Sequence, residues 1–257
     1  MWKRSQGVLK VQYSLLVSDI DGTLYLRGKL APSVCASVDV LKKCGCEVTF
    51  ATGRNIWEAQ PFVEALGITL PVVLASGAQV YNYARGHLLY AQDMDMALIL
   101  EFWKQYIPNV KYLCISDGTR CVNVSANDLE HFRGPVKRLT FTSEAPVVEK
   151  QDWPFWLFCD GESTYELTPK RADKGHGLQM LAGLLGKDMQ SIIALGNDQN
   201  DITLLKTAGL GLAVETAHPA LKAVSDGVVP VVDGIPLYLL EQCACGKIPW
   251  ERIVSQS

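Results

Sequence analysis

The chain has 257 residues, 48% of them hydrophobic and 20% charged, with a formal net charge of −3. That is ordinary globular composition, enough chain for one large domain or a core with a smaller insert. The charge leaves no electrostatic footprint for nucleic acid or an anionic membrane, and no apolar run approaches the ~18 residues of a bilayer span.

The stretch Met1 to Val17 carries Lys3 and Arg4 but is broken by Gln6, Lys10, Gln12 and Tyr13. It lacks a continuous apolar segment and a small-residue cleavage site, so it does not read as a signal peptide, and a cytoplasmic protein is expected. Eight cysteines include two C-x-C pairs, Cys44/Cys46 and Cys243/Cys245. Zinc sites favour C-x-x-C spacing, so these are expected to be thiols in a reducing compartment.

In chain order, residues 14–18 (SLLVS) form a short buried-strand pattern ending at Asp19. Pro32 opens a helix to about Lys43, with Val34, Val38 and Leu41 on one face and Gly45 as its stop. A strand over 47–51, a helix over 56–66 and a strand over 71–75 follow. The rhythm then changes. Residues 80–83 and 87–90 read as a hairpin around Ala84-Arg85-Gly86. Beyond it come a helix over 94–106, strands near 110–115 and 120–124, a short helix near 126–132, and strands near 135–141, 155–159 and 164–167.

Alternating strands and helices resume at Lys174, with a helix to about Leu185, a strand over 192–195, a helix over 202–208 and a strand over 211–214. A helix after Pro219, a strand over 228–232 and a helix near 235–243 close the chain. The expected fold is α/β: a doubly wound, Rossmann-like core with a mostly parallel sheet, split in sequence by an inserted α+β domain. Residues 1–80 and 168–257 make the core and 81–167 the insert.

Polar residues gather at successive strand ends, where ligands bind in open α/β sheets. Asp19 and Asp21 lie two apart, with Gly22 permitting a tight turn. Two such carboxylates repel unless a divalent cation neutralises them, and hard oxygen ligands suit Mg2+. Thr52-Gly53-Arg54 offers a hydroxyl, a backbone N–H and a helix start to a phosphate. Lys174 supplies a compact positive charge at the head of a helix, and Gly196-Asn197-Asp198-Gln199-Asn200-Asp201 follows the next strand.

Together, Asp19-Ile20-Asp21-Gly22-Thr23-Leu24, the Thr52-Gly53 turn, Lys174-Gly175-His176-Gly177-Leu178 and the 196–201 loop resemble the four motifs of the haloacid dehalogenase superfamily. The Lys174-Gly175-His176-Gly177-Leu178 pattern resembles that of its Cof-like branch with an α/β cap, and the chain looks similar to sugar-phosphate, phosphoglycolate and mannosyl-3-phosphoglycerate phosphatases. The resemblance implies that Asp19 forms an aspartyl-phosphate while Asp21 protonates the leaving group and then activates water. It places Thr52, Gly53, Arg54, Lys174 and Asn200 on the phosphate side, with Mg2+ held by Asp19, Asp21 and the 197–201 loop. The family pattern there is G-D-x-x-N-D, and this chain has Asn197 at the first acid position. Asn197 through its side-chain oxygen, Asp198, or Asp201 could complete the metal shell, with weaker Mg2+ binding expected from the lost charge. Ser76-Gly77-Ala78 stands where the family often has Asn-Gly-Ala, and the tail around Asp226 resembles the closing segment.

The insert at 81–167 corresponds to the cap, which would set substrate choice. Arg120, His131, Arg133, Lys137 and Arg138 are candidates for a second anionic group, while Trp153, Phe155, Trp156 and Phe158 read as core and hinge packing. The expected activity is hydrolysis of a phosphate monoester on a small metabolite, a sugar phosphate or phosphorylated organic acid. Nucleic-acid and membrane partners are not expected. A phosphosugar mutase and a non-catalytic phospho-ligand-binding protein are the alternatives.

Overall fold

The structure, a computed structural model, describes residues 13–106, 110–148, 153–159, 163–231, 237–247, 249 and 252. The expectations placed on Met1 to Gln12, Val232 and Ile235 lie outside these residues.

Strand β1 (Leu15–Ser18) leads through a small hairpin, β2 (Tyr25–Leu26) and β3 (Lys29–Leu30), to α1 (Pro32–Lys43). β4 (Glu47–Phe50), α2 (Ile56–Ala65) and β5 (Val72–Leu74) complete the first half of the core. Next come β6 (Gln79–Asn82) and β7 (His87–Ala91), then α3 (Met96–Tyr106), β8 (Val110–Ser116) and β9 (Cys121–Asn123). The insert ends with β10 (Arg138–Ser143), β11 (Phe155–Cys159) and β12 (Thr164–Pro169). The second half runs α4 (Lys174–Leu185), β13 (Ile192–Gly196), α5 (Ile202–Thr207), β14 (Leu210–Val214), α6 (Pro219–Lys222), β15 (Gly227–Val229) and α7 (Tyr238–Ala244).

Among the described residues the central sheet has five parallel strands in the order β15-β14-β13-β1-β4, and an isolated parallel bridge, Ala51 to Val73, brings β5 beside β4. Leu15, Leu16 and Val17 have no exposed surface, as expected of a parallel strand covered on both faces. From β1 the chain steps one way to β4, and from β13 it steps the other way to β14. Right-handed crossovers in opposite directions put α1 and α5 on opposite faces. The reversal falls between β1 and β13, which pair with Ser18 opposite Leu195. A crevice opens at that switch point, outside the carboxyl ends of the two strands.

The inserted sheet is antiparallel, in the order β11-β12-β10-β8-β9. β10 alternates strictly: Leu139, Phe141 and Ser143 are buried, while Arg138, Thr140 and Thr142 are half-buried. Leu139 and Phe141 pack with Ile99, Phe102 and Trp103 of α3 in a separate apolar cluster. Each such side chain contributes roughly 1.5–3 kcal/mol when fully buried, so this unit has a core of its own. Trp153 and Phe155 join it, with ring centroids 4.8 and 6.4 Å from Phe102. Trp156 and Phe158 fall on the opposite face. The β6–β7 hairpin pairs with β5, and Val80, Tyr81, Tyr83 and Tyr90 pack on the larger core cluster.

The thiol expectation fails for one pair of cysteines. Cys44 and Cys245 form a disulfide with their Cα atoms 5.2 Å apart, while Cys46 and Cys243 are buried and lie outside that bond. The bond follows from α1 packing against α7, which brings together two residues 201 apart in sequence. No sequence spacing could reveal that contact. Among the described residues no helix is long and apolar enough to cross a membrane.

Candidate active site

β1 ends at Ser18, and Asp19 is held at the sheet edge by its own N–H, which donates to Leu195 O at 2.8 Å. Its side chain is almost wholly buried. Lys174, the first residue of α4 and 1% exposed, places its ammonium 2.7 Å from Asp19 Oδ1 and 2.6 Å from Asp201 Oδ1. Asp201 also accepts the N–H groups of Asn197 and Asp198, at 2.9 and 3.1 Å. Burial pushes the Asp19 carboxyl up to about 7, against the pull of the lysine. Burial likewise works against the Lys174 charge, but Asp19 and Asp201 outweigh it and hold the ammonium charged.

Asp21 points outward and is gripped by Arg54 through two charge-assisted bonds, Nε to Oδ2 at 2.8 Å and Nη2 to Oδ1 at 2.7 Å. The hydrogen bond to Asp21 raises the Arg54 guanidinium further above its already high value. Gly22 has φ +83°, and a Cβ there would fall 2.3 Å from the Asn197 side chain. Close approach of the two loops therefore requires glycine.

Asn197 sits between the two acids. With its amide nitrogen turned inward, it donates to Asp21 O and Asp19 Oδ2 at 3.0 Å each and to Thr23 Oγ1 at 2.9 Å. With the oxygen inward, Thr23 becomes the donor, and amide oxygen, carboxylate and carbonyl face one another. Three oxygens so gathered repel unless a cation lies among them, and they are the hard donors that Mg2+ takes. The residues present fit that ion. Asp198 is exposed and caps the following turn through Gln199 N–H, and Asp201 is committed to Lys174 and backbone donors. Among the described residues no three His, Cys, Asp or Glu side chains gather to hold a metal.

Thr52 is fully buried, its Oγ1 accepting Arg54 N–H at 3.2 Å and its carbonyl accepting Ser76 N–H at 3.0 Å. The Ser76 turn backs this loop with two consecutive non-glycine residues at positive φ, Ala75 at 48° and Ser76 at 55°. Such conformations are uncommon outside Gly and Asn. The insert closes over the same loop. Arg138 Nη1 donates to Gly53 O at 2.5 Å, Ser76 Oγ donates to Glu166 Oε1 at 3.1 Å, and Ile56 N–H donates to Gly118 O at 3.2 Å.

The structure thus brings together Asp19, Asp21, Thr52, Gly53, Arg54, Lys174, Asn197 and Asp201. Asn200 lies at the rim, lining a cavity with Trp156 and Phe158, and Asp198 faces away. His176 bonds Tyr90 at 3.0 Å, and Asp226 accepts Gly211 N–H at 2.8 Å, a structural tie. Of the five basic candidates in the insert, Arg138 reaches the loop. Arg120 pairs with Asp117, His131 lies beside Glu130, Arg133 bonds the carbonyls of Glu130 and Phe132, and Lys137 pairs with Asp93. Ser76 was marked only as a departure from the family's Asn-Gly-Ala, and Glu166 was not anticipated. The polar alternation Thr164, Glu166, Thr168 was the available signal.

The family described as haloacid dehalogenase-like hydrolase matches residues 16–150 and 151–234. A phosphoglycolate phosphatase of Methanopyrus kandleri is 26% identical, covering 86% of this chain and 92% of that protein. A pyridoxal phosphate phosphatase of Escherichia coli is 24% identical, with 84% and 92% covered. An HMP-PP phosphatase of Serratia proteamaculans is 26% identical, with 82% and 87% covered. Among solved structures, a haloacid dehalogenase-like hydrolase from B. subtilis aligns over 90% of this chain and 98% of its own, with TM-score 0.72 and 19% identity. A subclass IIB sugar phosphatase aligns over 90% and 99%, with TM-score 0.74 and 17% identity. These last two likenesses concern the fold.

Proposed function

The chain belongs to the haloacid dehalogenase-like hydrolases, and from that premise we propose that it is a Mg2+-dependent phosphatase of small phosphate monoesters, acting through an aspartyl-phosphate on Asp19. The observation that carries this reading is the buried Asp19–Lys174–Asp201 chain at the sheet's switch point, beside the Thr52–Gly53 turn.

Asp19 attacks phosphorus in line, and the bond from phosphorus to the leaving oxygen breaks. Lys174 keeps Asp19 oriented and offers positive charge to the developing phosphoryl oxygens. Thr52 and the Gly53 backbone cradle that group, and Asn200 reaches it from the rim. Asp21, once released from Arg54 and protonated from solvent, gives that proton to the departing alcohol, then takes one from the water that hydrolyses the aspartyl-phosphate, restoring Asp19 and releasing phosphate. Arg54 holds Asp21 in the free site, and a phosphate dianion competes for the same guanidinium, so substrate entry frees the acid. Asp19, the Asp21 carbonyl and the Asn197 oxygen would hold Mg2+, which when bound supplies charge neutralisation between nucleophile and phosphate.

Residues 81–167 act as the cap in this reading. The β6–β7 hairpin at its start stays packed on the core, and Arg138 and Glu166 close over the phosphate turn. Closure would exclude bulk water from the aspartyl-phosphate.

The test is inorganic phosphate release from a panel of small phosphomonoesters and p-nitrophenyl phosphate, with Mg2+ and with EDTA. Release is expected with Mg2+, lost in EDTA, and absent in Asp19→Asn. Wild-type turnover in Asp19→Asn would sink the covalent mechanism.

A further inference from the structure

Both peptide groups of the Thr52–Gly53 turn are held at their carbonyls. The Thr52 carbonyl accepts the N–H of Ser76, and the Gly53 carbonyl accepts Nη1 of Arg138. The N–H of the first peptide belongs to Gly53 and donates to no described group, so it stays open to a ligand. The N–H of the second peptide belongs to Arg54 and donates to Thr52 Oγ1 at 3.2 Å. A threonine hydroxyl has one proton and two lone pairs. Oγ1 uses a lone pair on Arg54, and among the described residues nothing accepts its proton. Two donors, the Gly53 N–H and the Thr52 O–H, are therefore left over at one turn.

Both anchors of the turn depend on the insert. Arg138 lies on β10, and Ser76, which follows β5 in the core, gives its hydroxyl to Glu166 of β12 at 3.1 Å. Thr140 pairs with Glu166, and Arg138, two residues before Thr140, shares that face of the sheet. The second carboxylate oxygen of Glu166 faces Arg138 Nη1 at 3.6 Å, so one carboxylate ties the two anchors together. Ser76 holds φ at +55°, a conformation uncommon for serine, and the tie fixes its hydroxyl there. A Cβ on Gly53 would lie 3.3 Å from Ser76 Oγ and 3.5 Å from Arg138 Nη1, so both anchors sit against the glycine itself.

We propose that Arg138 is a positioning residue for phosphate. When the insert closes on the core, Arg138 fixes the Gly53–Arg54 peptide, whose N–H sets the Thr52 hydroxyl so that its proton joins the Gly53 N–H on one phosphoryl group. The proposal rests on the phosphatase reading, which assigns this turn to phosphate. Arg138 acts through the peptide and does not itself touch the ligand. Phosphate binding and closure of the insert are then linked, and each strengthens the other.

The experiment is a double-mutant cycle on the binding of inorganic phosphate, measured by isothermal titration calorimetry with Mg2+. Inorganic phosphate has no leaving group, so a change in its affinity cannot come from contacts with one. Thr52→Val should weaken binding by about tenfold through loss of one hydrogen bond to a charged group, and Arg138→Met by about as much through misaiming it. The double variant should bind about as weakly as Thr52→Val alone, because Arg138 then has no hydroxyl to set. Arg138→Lys keeps the charge beside Glu166 and one N–H for the Gly53 carbonyl, and should recover part of the loss. If Arg138→Met does not fold, Arg138→Lys takes its place in the cycle, and its smaller loss must likewise vanish beside Thr52→Val. Losses that multiply in the double variant would mean that Arg138 touches phosphate directly, and would overturn the proposal. Wild-type affinity in Arg138→Met would overturn it as well. Because the readout is binding, either result leaves ester hydrolysis to stand on its own assay. The expected coupling in a protein that turns over no ester would keep the role of Arg138 and remove the hydrolytic reading.

Discussion

Asn197 concentrates the chemistry that sets this chain apart. Its amide can satisfy the Asp19 carboxylate and the Asp21 carbonyl by itself, so the cation-free site is already hydrogen-bonded. Binding Mg2+ would require the amide to turn over and give up those bonds, and it brings no charge in return. We expect Asn197→Asp to bind Mg2+ about tenfold more tightly, since ligand charge tunes affinity in such sites. The same variant should melt lower without metal, because a third carboxylate then faces Asp19 without a proton to share. A melting-temperature titration with MgCl2 reads both effects. Equal shifts in wild type and variant would mean that the residue does not touch the ion. The candidate residues that the structure gathers were legible in the sequence because each follows closely on a buried strand: Asp19 after β1, Thr52 just beyond β4, Asn197 after β13. The choice among Asn197, Asp198 and Asp201 was not legible, because it depends on which side chain the turn consumes as a cap.

At the scale of elements, the join between β5 and α4 sets the position of Lys174. Gly77 has φ +102°, and a Cβ there would lie 1.9 Å from Asp173 O, the residue that caps α4. Gly77→Ala must move backbone on one side or the other, so we expect about 3 kcal/mol of destabilisation, measured by urea unfolding. A loss of phosphatase turnover greater than the loss of folded protein should accompany it, because the displaced helix start carries Lys174 away from Asp19. Stability unchanged within about 0.5 kcal/mol would refute this account of the join. Helix and strand positions followed from periodicity, and most boundaries fall within two or three residues of expectation. The β2–β3 hairpin, with two residues per strand, was too short to leave a periodic trace. The contacts of Arg138 and Glu166 with the phosphate turn depend on antiparallel register across β10, β12 and β11. Local composition does not encode that register, although period-two alternation in β10 marked which residues share a face.

At the scale of the whole molecule, two apolar clusters are joined by chain crossings near Gln92 and Lys170, and the core's two halves are stitched by the Cys44–Cys245 bond. Closing so long a loop constrains the unfolded chain by about 5 kcal/mol in the chain-entropy view, and loss of a native disulfide costs about 2–5 kcal/mol in practice. Cys245→Ser should therefore lose stability within that range in urea unfolding under oxidising conditions. A reducing agent should bring the wild type down to the variant and leave the variant unchanged. If oxidised wild type and variant unfold at the same urea concentration, the bond carries no stability. The parallel core was legible from its alternating elements, whereas the bond was hidden by its span.

The bond also divides the chain in a way the two clusters do not. From residue 44 to 245 the polypeptide is a closed ring, and a single cut anywhere within it leaves the pieces tethered. β1 lies outside that ring, on the free arm before Cys44, yet it occupies the slot between β4 and β13, both of which belong to the ring. The strand that delivers Asp19 is therefore the one central strand the bridge does not retain. Severing the exposed Arg27–Gly28 turn would leave Asp19 attached to the rest of the protein by sheet hydrogen bonds and packing alone.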